Sequence, residues 1–180
     1  MADLMNDNSG AVSDGKPVAA SAVTDQVYWV FPNDLNANDT VFGGMIMAQM
    51  DRLCAVVACR HASGVCVTAS VDAVHFLAPA KRGDVLIFAA SVNKAWRTSM
   101  EVGCRVDAQA FNGERRHILS AYLTFVAVDD SGKPRPVPAL LTGSEDEQRR
   151  CGEADLRRSQ RLRHAEELKA FRAQAHPGEI

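Results

Sequence analysis

The spacing of apolar positions changes along this chain and divides it into distinct stretches. Residues 1 to 23, rich in Asp, Asn, Ser, Gly and Ala, have no period and read as a disordered arm. Gln26 to Phe31 reads as a short strand, and the segment PNDLNANDT after it is so dense in Asn and Asp that it predicts a loop or a set of side-chain-bonded turns. From about Gly44 to Ala62 the chain is apolar, rich in Met, Ala and Leu and free of proline, which predicts a long helix. Past Ser63-Gly64 the period becomes two. Segments 65–76, 84–95, 98–110 and 115–128 predict four long strands, broken at Pro79 to Asp84 and around Asn112-Gly113. In the clearest strand, Met100, Val102, Cys104, Val106 and Ala108 alternate with Glu101, Arg105, Asp107 and Gln109, so one face is expected to be buried and the other solvated.

The three prolines of GKPRPVPAL should lead the chain out of the sheet in extended form. Ser144 followed by Glu147 fits a capping box, and a charged helix is expected from there to about Gln174, interrupted near Gly152. Strand, long apolar helix and then four strands is the order of an α+β fold, an antiparallel meander with one helix against its face. The domain reading is an arm over 1–23, a single domain over 24–140 and a charged helical extension over 141–180, where eight basic residues balance eight acidic ones. That extension reads as a solvated or oligomer-bracing helix.

Charge and cysteine content narrow the class of function. A net charge of −2 provides no field to draw the chain onto nucleic acid or an anionic membrane, so an anionic ligand must be met locally. The apolar run from Val41 to Met50 ends at Asp51-Arg52, too short to span a bilayer. The acidic start MADLMNDNSG lacks a basic and apolar leader pattern, which points to the cytoplasm. Five cysteines, an odd number without a CxxC pair, argue against a zinc site or a disulfide framework and fit small apolar side chains.

The long helix carries one acid out of place. At roughly 100° per residue, Gln49, Arg52 and Arg60 share one side, while Asp51 falls nearly opposite among Gly44, Met47, Ala48, Ala55 and Ala58. A carboxylate on such a small-residue strip is costly to bury unless it is paired or functional, and burial would raise its pKa towards the range useful for proton transfer. The bland alternative is an ion pair or a loop cap. Upstream, Gly43 and Gly44 place two unhindered N–H groups at the positive end of the helix, suited to a developing oxyanion. Asn36 and Asn38 precede them, and turn formation is the competing role for Asn36.

The segments NANDTVFGGMIMAQMD, VTASVDAVHFLAPAKRGD, RTSMEV and LTFVAVD resemble, in this order, the acyl-CoA hydrolases of the hot-dog superfamily, over roughly residues 30 to 138. The resemblance implies a hot-dog fold, a long central helix wrapped by a curved antiparallel sheet of about five strands. It also implies a homodimer whose sheets join into one with active sites at the subunit interface, often assembled further into a hexamer as a trimer of dimers. By the same resemblance Asp51 is the general base or the nucleophile, and Asn36 reaches it from the partner subunit. An N–H at Gly43 or Gly44 then holds the oxyanion, and Arg97, Thr98 and Ser99, with Arg135 beside them, contact coenzyme A. Coenzyme A is part of the substrate; no cofactor and no metal are implied.

His75 shares strand parity with Val67, Ala69, Val71 and Ala73 and is expected to face the helix, as a structural or site-lining group. Three positions depart from the commoner family pattern: Asp39 where glycine is usual, Met45 where a bulky aromatic often follows the glycine pair, and Trp96 where glycine often precedes the arginine. Trp96 is expected to cover the nucleotide or the dimer edge. There is no GxSxG, HExxH, P-loop or GxGxxG. A dehydratase of the same fold would need a histidine in the loop before the helix, which has none. The remaining rival is a non-catalytic acyl-CoA-binding sensor or regulator of the same fold.

Overall fold

The computed structural model describes residues 15–175. Its centre is a helix, α1 (Gly43–Ala62), laid against one face of a five-stranded antiparallel sheet. The strands are β2 (Val23–Trp29), β3 (Cys66–Val71), β4 (Val85–Ala95), β5 (Ser99–Gln109) and β6 (Arg115–Ala127), in the spatial order β2-β4-β5-β6-β3. A short parallel pair, β1 (Lys16–Pro17) with β7 (Leu140–Leu141), ties the two ends of the domain together. The last element is α2 (Glu145–Ala175). This is the hot-dog architecture expected from the sequence, with the long strands within a residue or two of their expected bounds.

The core forms where the two periodicities meet. Ile46, Met50, Leu53, Cys54 and Val57 of α1 pack on Phe88, Val92, Met100, Val102, Val106, Leu123 and Phe125 from alternate sheet positions. Helix α1 stops at Ser63, which takes a left-handed conformation (φ 51°), and Arg135 closes the end by donating Nη2 to the Ala62 carbonyl at 2.9 Å.

Four expectations need correction. The arm expected over 1–23 is structured from residue 15: Lys16 pairs with Leu140, and Val18 and Ser21 are buried; residues 1–14 lie outside the described residues. Helix α2 runs through Gly152 without a break, because its Ser144–Glu147 capping box and packing on the sheet outweigh the modest cost of one helical glycine. The face of β5 expected to be solvated is covered by α2 at one end, so Glu101 is 0% exposed, while Arg105 further along stays exposed. Finally, β3 is shorter than expected and bulged between Thr68 and Ser70. The bulge breaks the parity read through Val67: Cys66 and Thr68 turn towards α1, Val67 turns away, and His75, past the strand end, is exposed.

Candidate active site

Asp51 sits on the flank of α1, half-buried, beside the edge strand β3. The Thr68 hydroxyl donates to its Oδ1 at 2.8 Å, which fixes the carboxylate and leaves Oδ2 without a protein donor. The strip of small residues around Asp51 is open towards the start of the helix and closed towards its end: Met47 and Ala48 are exposed, Ala55 is half-buried and Ala58 is buried in the core. Thr68 was missed in the sequence because an unbroken alternation assigns it to the outer face. The bulge that reverses its parity leaves no mark in the composition of the segment, so the sequence carried no signal for it. Cys66 lies on the same strand, and burial, then neighbouring Cys59, pushes its thiol up to about 12. It is therefore held as a thiol, a poor nucleophile.

The loop before α1 is built tightly. A single turn of 3-10 helix, Pro32–Asp34, is held by the buried Asp34 carboxylate, which accepts from the Tyr28 hydroxyl at 2.9 Å and from the Phe31 N–H at 2.8 Å. Asn36 then organises the residues after it. Its Oδ1 accepts from the Asn38 N–H at 2.8 Å and the Thr40 N–H at 3.4 Å, and its Nδ2 donates to Thr40 Oγ1 at 3.0 Å. One Nδ2 hydrogen remains for another acceptor. The turn-forming role of Asn36 is thus present in the single chain, where no hydrogen bond joins Asn36 to Asp51.

Gly43 and Gly44 are the first residues of α1, so their N–H groups have no acceptor within the helix and stand at its positive end. A Cβ at Gly43 would lie 3.1 Å from the Phe76 ring, a tight contact that would displace the ring. Beside these amides opens a cleft of about 410 Å³ lined by Ile46, Phe76, Leu77 and Ile118. At 1.5 Å per residue, Gly43 and Asp51 are about 12 Å apart along the helix. One chain therefore carries two half-sites: a glycine pair with an apolar cleft, and a carboxylate oriented by Thr68.

Of the residues expected at coenzyme A, Arg97 is exposed at the β4–β5 turn. Its carbonyl accepts from the Val137 N–H at 3.1 Å, so the segment carrying Arg135 runs beside it. Arg135 itself caps α1, with Nε also donating to the Val128 carbonyl at 3.3 Å. Thr98 is half-buried, and Ser99 accepts from Arg158 at 3.3 Å. Trp96 does not lie over a free edge. Its indole donates to Asp155 at 3.0 Å and the Arg158 guanidinium stacks 4.4 Å above its ring, because α2 occupies that face. Met45 is half-buried and packs against the core. Among the described residues no three His, Cys, Asp or Glu side chains converge as metal ligands, and no helix is long and apolar enough to cross a membrane.

Known proteins share this arrangement. The family model for the Thioesterase superfamily matches residues 38–110. The chain is 40% identical over 119 residues, 66% of its own length and 69% of the relative's, to YkhA of Bacillus subtilis, an uncharacterised acyl-CoA thioester hydrolase. Mammalian relatives named as acyl-CoA thioesterases are 33% to 39% identical and much longer, the matched part being 24% to 39% of their length. Among solved structures, an apo-hexameric acyl-CoA thioesterase superposes with a TM-score of 0.82 at 40% identity, covering 85% of this chain and 98% of that one. The acyl-CoA hydrolase of Staphylococcus aureus, solved with butyryl coenzyme A and coenzyme A, gives 0.80 at 37% identity, covering 89% and 99%. Solved variants of that enzyme replace an asparagine, an aspartate and a threonine by alanine, at the same separations along its chain as Asn36, Asp51 and Thr68 here. On fold, sequence and the order of its site residues, the chain belongs to the Thioesterase superfamily, among the hot-dog acyl-CoA hydrolases.

Proposed function

We propose that this protein hydrolyses acyl-CoA thioesters to the free carboxylic acid and coenzyme A, at a site completed only when two copies meet. The observation that carries this reading is the separation of the half-sites on α1. A general base must stand within about 3 Å of its water, and an oxyanion donor at a similar distance from the carbonyl oxygen. Asp51 and the Gly43–Gly44 amides of one chain are too far apart to serve the same carbon. A two-fold axis near the β3 edge, where Val65 and Val67 are 62% and 47% exposed, brings one chain's Asp51 and Thr68 to the partner's Asn36 and helix start.

In this site Thr68 holds Asp51 through Oδ1, and Oδ2 takes a proton from water as the oxygen adds to the thioester carbonyl. Direct attack by Asp51 through an anhydride uses the same geometry. The partner's Gly43 and Gly44 N–H groups donate hydrogen bonds to the carbonyl oxygen as negative charge develops on it, in the field of the helix dipole. Collapse of the tetrahedral adduct breaks the carbon–sulfur bond and expels the coenzyme A thiolate, which leaves readily because a thiolate is a weak base. The acyl chain fits the cleft between Ile46, Phe76, Leu77 and Ile118, and Arg97, exposed and without a side-chain partner among the described residues, meets the nucleotide phosphates. Solved relatives named as hexameric support a trimer of dimers, and relatives named as cytosolic support a cytoplasmic site of action.

Thiol release from short, medium and long acyl-CoA tests the reading. Hydrolysis is expected, and Asp51→Asn is expected to lower the rate at least about a hundredfold, the scale of general-base removal. If all the thioesters bind and none turns over, the protein is a sensor of the same fold.

A further inference from the structure

Helix α2 does not stop where the domain stops. Coming from the β2 side of the sheet, it lies over β4, where Asp155 pairs with Lys94 at 3.0 Å. It then passes β5 and β6, where Arg157 pairs with Glu101 at 2.7 Å and stacks 3.6 Å from the Tyr122 ring. Arg161 reaches Asp72, just past the end of β3, at 2.7 Å. Among the described residues, nothing after Arg161 is hydrogen-bonded or ion-paired to the body, and residues 162–173 are all exposed. The remainder to Ala175 is roughly 21 Å of helix, about the width of four strands, projecting beyond the β3 edge.

An isolated helix of this length is marginal in water, and this one also exposes Leu168 (40%) and Phe171 (69%). At roughly 100° per residue, Leu168 continues the side of α2 on which Ala154, Arg157 and Arg161 meet the sheet, with Phe171 next to it. The sheet-facing stripe therefore runs on past the sheet that it faces. Over the same edge, Val67 is exposed on the outer face of β3 and its cross-strand neighbour Val126 is half-buried, an apolar pair with no helix above it.

We propose that the C-terminal half of α2 is an interaction surface for a second copy of the chain, packing Leu168 and Phe171 on the partner's Val67 and Val126. The proposal rests on the shared-site dimer described above. If two β3 strands pair antiparallel about their midpoint, Asp72 of one chain lies level with the start of the partner's β3. A helix leaving at Asp72 then passes over the partner's Val67–Val126 pair. By symmetry the contact occurs twice, and each copy is clamped by the other's tail on the face opposite the active sites.

The test replaces Phe171 by the photo-crosslinker benzoylphenylalanine in the full chain, mixing isotopically light and heavy protein. Irradiation is expected to give a band of doubled mass, with light-to-heavy crosslinks mapping to residues 65–71 and 124–128. A protein that sediments as a dimer but crosslinks only within a chain, or elsewhere on the partner, overturns the clamp and leaves the shared site standing. A monomer that still hydrolyses thioesters overturns both. In a second arm, Leu168→Glu with Phe171→Glu is expected to raise the dimer dissociation constant at least about tenfold, as loss of buried apolar contacts does. Turnover per dimer at saturating protein concentration should be unchanged. An unaltered dissociation constant also overturns the clamp.

Discussion

Thr68 and Asp51 meet at 2.8 Å across the gap between the edge strand and the central helix, hydroxyl to carboxylate. The bond selects one carboxylate oxygen and one rotamer, so in the proposed site Thr68 is a positioning residue that does not touch the reacting carbon. Thr68→Val should lower kcat about tenfold or more, the scale of one charge-assisted hydrogen bond, with a smaller effect on KM. Thr68→Ser should restore most of the loss. Steady-state kinetics on the two variants check this, and a Thr68→Val enzyme with unchanged kcat removes the positioning role.

Asp39 has φ of 55°, a left-handed conformation that glycine adopts without strain, and its contact with Arg82 is a 3.5 Å pair between exposed groups. The strain should outweigh so weak a pair. Asp39→Gly should therefore raise stability by up to about 1 kcal/mol, and Asp39→Ala should lower it. Calorimetric melting of both variants separates backbone strain from loss of the pair, which both variants share.

Glu101 is fully buried beneath α2, held by Arg157, by the Asn93 amide at 3.2 Å and, at 3.5 Å, by Arg161. A Cβ at Gly103 would collide with the Asn93 carboxamide, so glycine there is what lets the amide reach the acid. Arg157→Met leaves Glu101 with incomplete neutralisation and should cost about 3 kcal/mol, as removal of one partner of a buried pair does. Urea unfolding measures the loss. Replacing both Glu101 and Arg157 by leucine should cost less than Arg157→Met alone.

His61 is buried with Nε2 3.0 Å from the Pro138 carbonyl, which fixes the Nε2–H tautomer, and its Nδ1 has no partner. Burial holds its pKa below the ordinary histidine value. The unfolded chain therefore binds a proton that the folded chain does not, and stability falls as pH drops below about 6.5. The slope from this group alone is bounded by one proton, about 1.4 kcal/mol per pH unit. His61→Gln should flatten the stability profile just below about pH 6.5; an unchanged profile assigns the dependence to another group.

Much of this was legible in the sequence, and the exceptions have a common cause. Helix α1 and the three long strands β4, β5 and β6 are periodic on their own, because one face of each meets the core and the alternation records it. Asp51 stood out as an acid against that pattern, and Gly43-Gly44 as a pair where the helix begins. Thr68 did not, since a one-residue bulge reverses parity without leaving a mark in composition. Nor did Glu101 read as buried, because the residue that neutralises it lies 56 positions further on, at Arg157. Trp96 was expected over the nucleotide or the dimer edge, whereas α2, 59 positions further on at Asp155, engages its indole. Local pattern carries the first layer of packing; the second layer, helix on the far face of the sheet, is a long-range matter.

The burial of Glu101 by Arg157 also sets an order of events during synthesis. The sheet and α1 are complete once β6 has left the ribosome, and at that stage Glu101 faces water, where an unpaired acid does no harm. The helix that dries this face emerges afterwards with its own arginine. The growing chain thus never has to hide the charge before its counterion is made, and a segment translated after the sheet covers the acid on its outer face.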